Sequence, residues 1–238
     1  MKDILQSAKA IIFDVDQTLI DVADMGSLYS ASFAKFGVQA QPGKELDDYL
    51  HEAWKQIRSQ YLCKDTSFKT DCKREKETWK DYTRILCSYY KEPRDFENFF
   101  EDIYNAFAHG SSRIVTPSVI EFITKAKGLG KKIGALTNND GRTLTVMHDL
   151  NIAKYFDCVA IACEIGWKKP SVESFQLTAE ILNLPVSDCL YIGNSIELDY
   201  EGARNAGMQA ILFDLQESPV PEAVQYNFSN FSELAKLL

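Results

Sequence analysis

Asp14 and Asp16 stand one residue apart directly behind an apolar run, Ile11, Ile12 and Phe13, and Thr18 follows two residues later. Two carboxylates that close repel each other and prefer water. A chain that holds them together does so for a cation or for a reaction. Polar residues also follow three other apolar runs. KKIGALT ends at Thr137, with Asn138, Asn139 and Asp140 behind it. CVAIAC leads through EIGWKKP to Lys168 and Lys169. CLYIG leads to Asn194, with Glu197 and Asp199 on the next turn.

These residue types suit displacement at phosphorus. A positioned carboxylate can attack a phosphate ester and divide one hard step into two easier ones. Asp14 is the candidate nucleophile, through an aspartyl-phosphate. Asp16 can protonate the leaving alkoxide and later take a proton from water. Mg2+, a hard ion with oxygen ligands, suits the crowded oxyanions. Thr137 and nearby backbone amides, with Thr18 and Asn138, can hold phosphate oxygens. Lys169 can balance charge on the nucleophile and on the phosphoryl group. Each has a plainer reading. Thr137 or Asn138 can cap a helix, Glu197 suits a helix N-terminus, and Lys168 reads as a solvated neighbour of Lys169.

A parallel α/β sheet would bring these residues together. Strands at about 10–14, 131–137, 158–163, 189–194 and 209–214 alternate with amphipathic helices from residue 113 onward. Sites in such sheets form outside the carboxyl ends of the strands, where every residue named above falls. Residues 27–109 differ. GSLYSASFAKF, KELDDYLHEAWKQIRSQYL, KREKETWKDYTRILCSYY and PRDFENFFEDIYNAF place apolar residues three and four apart, the period of a helix face. The expected architecture is a Rossmann-like, doubly wound parallel core, 1–22 and 112–238, with an all-helical cap domain, 23–111, inserted after the first strand. The chain would cross a hinge near 20–26 and 108–116. Residues from 216 to the C-terminus read as a loop and a short closing helix.

The four stretches resemble the motifs of the haloacid dehalogenase superfamily, mainly its phosphatases with a helical cap. DVDQT is similar to DxDxT, ALTNND to the second motif, GWKKP to the lysine motif, and YIGNSIELDYEGARNAGM to the acidic motif GDSxxxDxxGAxxAGM. The resemblance implies Mg2+ held by the Asp14 carboxylate, the backbone carbonyl of Asp16 and the acidic motif, here Asn194 and Asp199. Asn194 departs from the pattern, since an Asp usually stands there; its amide brings an oxygen without charge and predicts weaker metal binding. Glu197 could swing in to compensate. Gln17 replaces a frequent glycine.

The departure at Asn194 keeps two other readings open. One is a metal-independent 2-haloacid dehalogenase, whose relatives lack the second acid because halide leaves without a proton; Asp16 argues against it. The other is a catalytically impaired fold retained for binding or regulation.

The chain of 238 residues is 45% hydrophobic and carries a formal net charge of −8. That charge argues against nucleic acid as a partner. No apolar run approaches the roughly 18 residues a membrane span needs, and the N-terminus is too short and polar for a signal peptide. The six cysteines lack CxxC spacing, which reads as buried free thiols in a reducing cytoplasm rather than a zinc site. Basic cap residues, Arg58, Lys64, Lys69, Lys73, Arg74, Lys76, Lys80 and Arg84, read mostly as a solvated face, with a minority free to meet an anionic substrate. Trp54, Trp79 and the tyrosines read as cap packing. The expected partner is a small phosphorylated metabolite, and the expected assembly a monomer or small homo-oligomer.

Overall fold

The computed structural model describes residues 1–215 and 219–238. Residues 216–218, the start of the expected tail loop, lie outside the described residues. The strands are β1 (Ala10–Phe13), β2 (Ile20–Val22), β3 (Arg113–Val115), β4 (Lys132–Thr137), β5 (Cys158–Ile161), β6 (Cys189–Gly193), β7 (Gln209–Phe213) and β8 (Asn227–Phe228). Six of them form one parallel sheet in the order β5-β4-β1-β6-β7-β8. The order reverses around β1, which pairs with β4 on one side and β6 on the other. A crevice opens above such a reversal.

The strands read as unbroken apolar runs because both sheet faces are covered. Side chains alternate between two cores. Ile11, Phe13, Leu190, Ile192, Ile211 and Phe213 face one. Ile12, Tyr191, Ala210 and Leu212 face the other. Helices α1 (Lys2–Ser7), α6 (Val119–Gly128), α7 (Arg142–Asp149) and α11 (Phe231–Ala235) flank the first; α9 (Val172–Ile181) and α10 (Gly202–Asn205) flank the second. A short α8 (Ala162–Ile165) follows β5, and one π-helical turn, Ile196–Glu201, precedes α10.

The intervening segment forms α2 (Met25–Lys35), α3 (Lys44–Tyr61), α4 (Cys72–Cys87) and α5 (Phe96–Ala106). Asp24, Asp71 and Asp95 cap α2, α4 and α5 by accepting from the backbone N–H three residues on. Leu46, Leu50, Ala53 and Ile57 make one stripe of α3 and enter a third core with Phe33, Tyr82, Leu86, Phe99 and Ile103. The Phe33 and Phe99 rings stack there at 4.8 Å.

Two features depart from the expectations. The crossings between helical segment and core are a two-stranded antiparallel ribbon of β2 and β3, with Val22 opposite Arg113. Strands this short carry no readable period. Second, Cys72 and Cys163 are joined in a disulfide, against the expectation of six free thiols; Cys63, Cys87, Cys158 and Cys189 are free and buried. The bonded pair lies 91 residues apart in sequence, and only the fold brings the N-terminus of α4 against α8.

Candidate active site

The carboxyl ends of β1, β4 and β6 open into a cleft of about 720 Å³ beneath the helical segment. Asp14, Asp16, Thr137, Asn138, Lys169, Asn194 and Asp199 all line it. Thr18 does not: it is fully buried, and its hydroxyl faces the Asn194 side-chain oxygen at 3.4 Å.

Lys169 is the centre of the cluster. Its ammonium lies 2.5 Å from Asp14 Oδ1, 2.7 Å from Asp199 Oδ1 and 3.1 Å from the Tyr191 hydroxyl. All four residues are buried. Asn138 fixes the lysine from behind: its side-chain oxygen accepts from the Lys169 N–H at 2.7 Å, and its amide nitrogen donates to the Lys169 carbonyl at 3.0 Å. The Asn138 side chain is therefore engaged with backbone and not free for phosphate. Thr137 accepts from the Asn139 N–H at 3.0 Å, a turn bond and not a helix cap, since the following helix α7 has Gly141 at its N-cap with no side-chain cap bond.

Asp199 reaches the lysine because position 193 is glycine. A Cβ there would fall 2.5 Å from the Asp199 carboxyl carbon. The second Asp199 oxygen accepts from the Ser195 N–H at 2.8 Å. Both oxygens are engaged within the protein, so Asp199 supplies charge to the cluster rather than an open ligand.

One ammonium between two carboxylates leaves one negative charge in excess. Burial pushes Asp14 up to about 7, against the pull of Lys169 and with a further push from Asp199. Burial alone would lower Lys169; the two carboxylates outweigh it and hold the ammonium above its ordinary value.

The cluster fits Mg2+ by its chemistry. It is anionic, and Asp14 and Asn194 bring oxygen donors to it. Among the described residues no three His, Cys, Asp or Glu side chains converge into a metal cage. Asn194 is held by its neighbours, its oxygen facing Thr18 and its nitrogen donating to Gln17 Oε1 at 3.1 Å. Gln17 has a left-handed backbone, φ 61°, the conformation that makes glycine frequent at such a position. The two departures from the motif pattern thus contact each other.

Asp16 stands half-exposed in the cleft, with Asn139 donating to it at 3.3 Å and the Arg113 guanidinium 4.0 Å away. The wall and roof carry residues that the sequence did not single out. Arg142 clasps Asp140 through two N–H groups and lies 3.6 Å from the Tyr104 ring centre. Burial would raise Asp140, yet Arg142 holds it below its usual value. Trp54, Trp79 and Tyr82 line the cleft while packing the core of the helical segment, and Tyr61 lines it against the Trp54 and Trp79 rings, so the aromatic residues serve both places. The buried Trp79 indole nitrogen has no hydrogen-bond partner.

The basic residues of the helical segment divide. Arg58 lines the cleft but pairs with Glu197 at 2.9 Å, and Lys64 approaches the same carboxylate at 3.8 Å. Glu197 is thereby paired with the helical segment. Lys168 is not solvated. It is fully buried, 2.8 Å from Glu75 of α4, against the Tyr61 ring and bonded to the Tyr61 carbonyl.

A family model for haloacid dehalogenase-like hydrolases matches residues 8–207. The chain belongs to this family. This hydrolase is 26% identical to the N-acylneuraminate-9-phosphatase of Mus musculus, over 98% of this chain and 95% of the relative. It is 24% identical to the phosphoglycolate phosphatase of Neisseria meningitidis serogroup A, over 89% of this chain and 82% of the relative. The structure of the L-2-haloacid dehalogenase from Xanthobacter autotrophicus superposes with a TM-score of 0.72 at 18% identity, covering 97% of this chain and 98% of that one. Phosphatase and dehalogenase chemistry thus both occur among the proteins this hydrolase is similar to, and the fold does not separate them.

Proposed function

We propose that this hydrolase cleaves a small phosphate monoester through an aspartyl-phosphate, with Mg2+ bound, and that residues 23–111 cap a core of 1–22 and 112–238. The observation that carries the proposal is Asp16 beside a buried Asp14–Lys169–Asp199 cluster. A halide leaves without a proton, whereas an alkoxide needs one, and Asp16, which lines the same cleft, can give it.

Mg2+ held by Asp14, the Asp16 carbonyl and Asn194 would neutralise the excess negative charge and draw in the phosphate oxygens. The chain's own residues do the rest. Lys169 pulls the Asp14 carboxyl toward its ionised form and aims it. An Asp14 oxygen attacks phosphorus as the ester P–O bond breaks, and the Asp16 proton passes to the departing oxygen. Asp16, now a carboxylate, takes a proton from water. That water oxygen attacks phosphorus, the Asp14–phosphorus bond breaks, and phosphate and free Asp14 are restored. The aromatic roof excludes bulk water from the cleft.

The test is phosphate release from p-nitrophenyl phosphate and a panel of small esters as Mg2+ is titrated. Metal-dependent release that Asp14→Asn abolishes supports the reading. Halide release from 2-haloacids without metal would replace it with the dehalogenase reading. The absence of both activities would leave a binding module.

A further inference from the structure

The helical segment roofs the cleft and touches the core at several points of its rim. Arg58 pairs with Glu197 beyond β6. The Tyr104 hydroxyl donates to Asp140 beyond β4 at 2.9 Å. The β2–β3 ribbon follows β1. Asp14 is only 7% exposed beneath this roof. An ester reaches it, and the products leave, when the roof lifts on the ribbon. An exposed ion pair and a hydrogen bond break and re-form as it does so.

The contact beyond β5 is of another kind. The chain between α3 and α4 runs antiparallel to residues 166–168. The Thr70 N–H donates to the Gly166 carbonyl at 3.1 Å, and the Lys168 N–H to the Phe68 carbonyl at 2.9 Å. Lys69 lies over the Trp167 ring at 5.0 Å, and Lys168 meets Glu75. Cys72, the first residue of α4, is then bonded to Cys163 of α8. Lys169, which holds Asp14, is the next residue of the docked stretch. The loop on the other side is strained: Cys63, Ser67 and Phe68 have left-handed backbones, φ 54°, 52° and 70°, a conformation that persists where the surroundings hold it. The two sulfur-bearing residues differ in access. Cys72 is exposed, whereas Cys163 is buried.

We propose that Cys72–Cys163 is a redox latch: closed, it pins the roof over the cleft and slows turnover; opened by a dithiol, it frees the roof to lift. This rests on the cleft being the site of the proposed hydrolysis, and not on which ester is cleaved. A covalent bond beside α8 forbids the one movement that the other contacts allow. The exposed Cys72 gives an incoming thiolate its point of attack. The S–S bond breaks, and Cys163 leaves as a thiolate that takes a proton. The second thiol of the dithiol attacks its own bonded sulfur, closes a disulfide and frees Cys72. Two electrons and two protons pass to the protein, and an oxidised dithiol runs the same steps in reverse.

Native protein and Cys72→Ser are equilibrated, without denaturant, in mixtures of reduced and oxidised dithiothreitol. The bond is scored by thiol alkylation and mass, and p-nitrophenyl phosphate turnover is followed with Mg2+ present. Reduced native protein should turn over faster than oxidised native protein by about fivefold or more, the low end of a regulatory coupling. Cys72→Ser should match the reduced protein and ignore the buffer; Cys163→Ser replaces it if it does not fold. Equal rates in the two states, or a faster oxidised state, would overturn the proposal and leave the bond a staple that affects stability alone. So would a variant that responds to the buffer as native protein does, or a bond that dithiothreitol opens only in denaturant. Failure of the phosphatase reading shows separately, as no turnover in any state of either protein. Hydrogen exchange then reads the latch. A rise on reduction confined to the two walls of the cleft, 50–61 and 194–199, supports it; no change, or an equal rise throughout the chain, overturns it.

Discussion

At the scale of single residues, the cluster around Lys169 makes a testable statement about Asp14. Its carboxyl is raised to about 7 by burial, so the folded protein binds that proton more tightly than the unfolded chain. The corresponding stability is present at acid pH and is lost as pH rises through about 7. Asp14→Asn lacks that loss. In chelator-treated protein, the melting temperature of Asp14→Asn relative to native should therefore rise between pH 5 and pH 8; a flat difference would contradict the assigned environment. Asn194 gives a second prediction. Asn194→Asp adds a charged ligand where the amide now bridges Thr18 and Gln17, and should tighten Mg2+ binding about tenfold by calorimetry. Residue types and spacing in the sequence placed Asp14, Asp16, Thr137, Lys169 and Asn194 at one rim, because carboxyl ends of parallel strands share an edge. Spacing could not reveal what each side chain contacts. Asn138 clasping the Lys169 backbone, Thr18 facing Asn194, and Asp199 reaching Lys169 across Gly193 depend on rotamers and close approach.

At the scale of elements, strands and helices were legible where they are long or doubly covered. β1, β4 and β6 announce themselves because both faces are buried, and α3 because its apolar stripe recurs at helical spacing. The β2–β3 ribbon and two-residue β8 were not, being too short to carry a pattern. Lys168 was misread for a related reason: its partner Glu75 lies on α4, in another part of the chain. This pair joins α4 to the loop that carries Lys169. Lys168→Met would leave Glu75 buried and unpaired, which costs about 3–5 kcal/mol. Lys168→Met combined with Glu75→Leu should recover most of the loss. Urea unfolding of the three variants checks both statements; equal stability of native and single variant would mean the pair contributes nothing.

At the scale of the whole molecule, the helical segment is joined to the core at the cleft, through Arg58–Glu197 and Tyr104–Arg142, and at two further places. One is the β2–β3 ribbon. The other combines the Lys168–Glu75 pair, the Lys168 N–H bond to the Phe68 carbonyl at 2.9 Å and the Cys72–Cys163 bond. The disulfide should contribute about 2–4 kcal/mol, read as lower thermal stability in Cys72→Ser or after reduction. It has a further effect on the covalent graph. Backbone from Cys72 to Cys163 becomes a closed ring that contains α4, α5, β3, β4 and β5. Thr137 lies on the ring, while Asp14 and Asp199 lie on the two tails that leave it. A tryptic cut at exposed Lys91 or Arg94 opens the ring without parting the chain. The nicked protein should migrate as one species on a denaturing gel without reductant and as two once thiol is added.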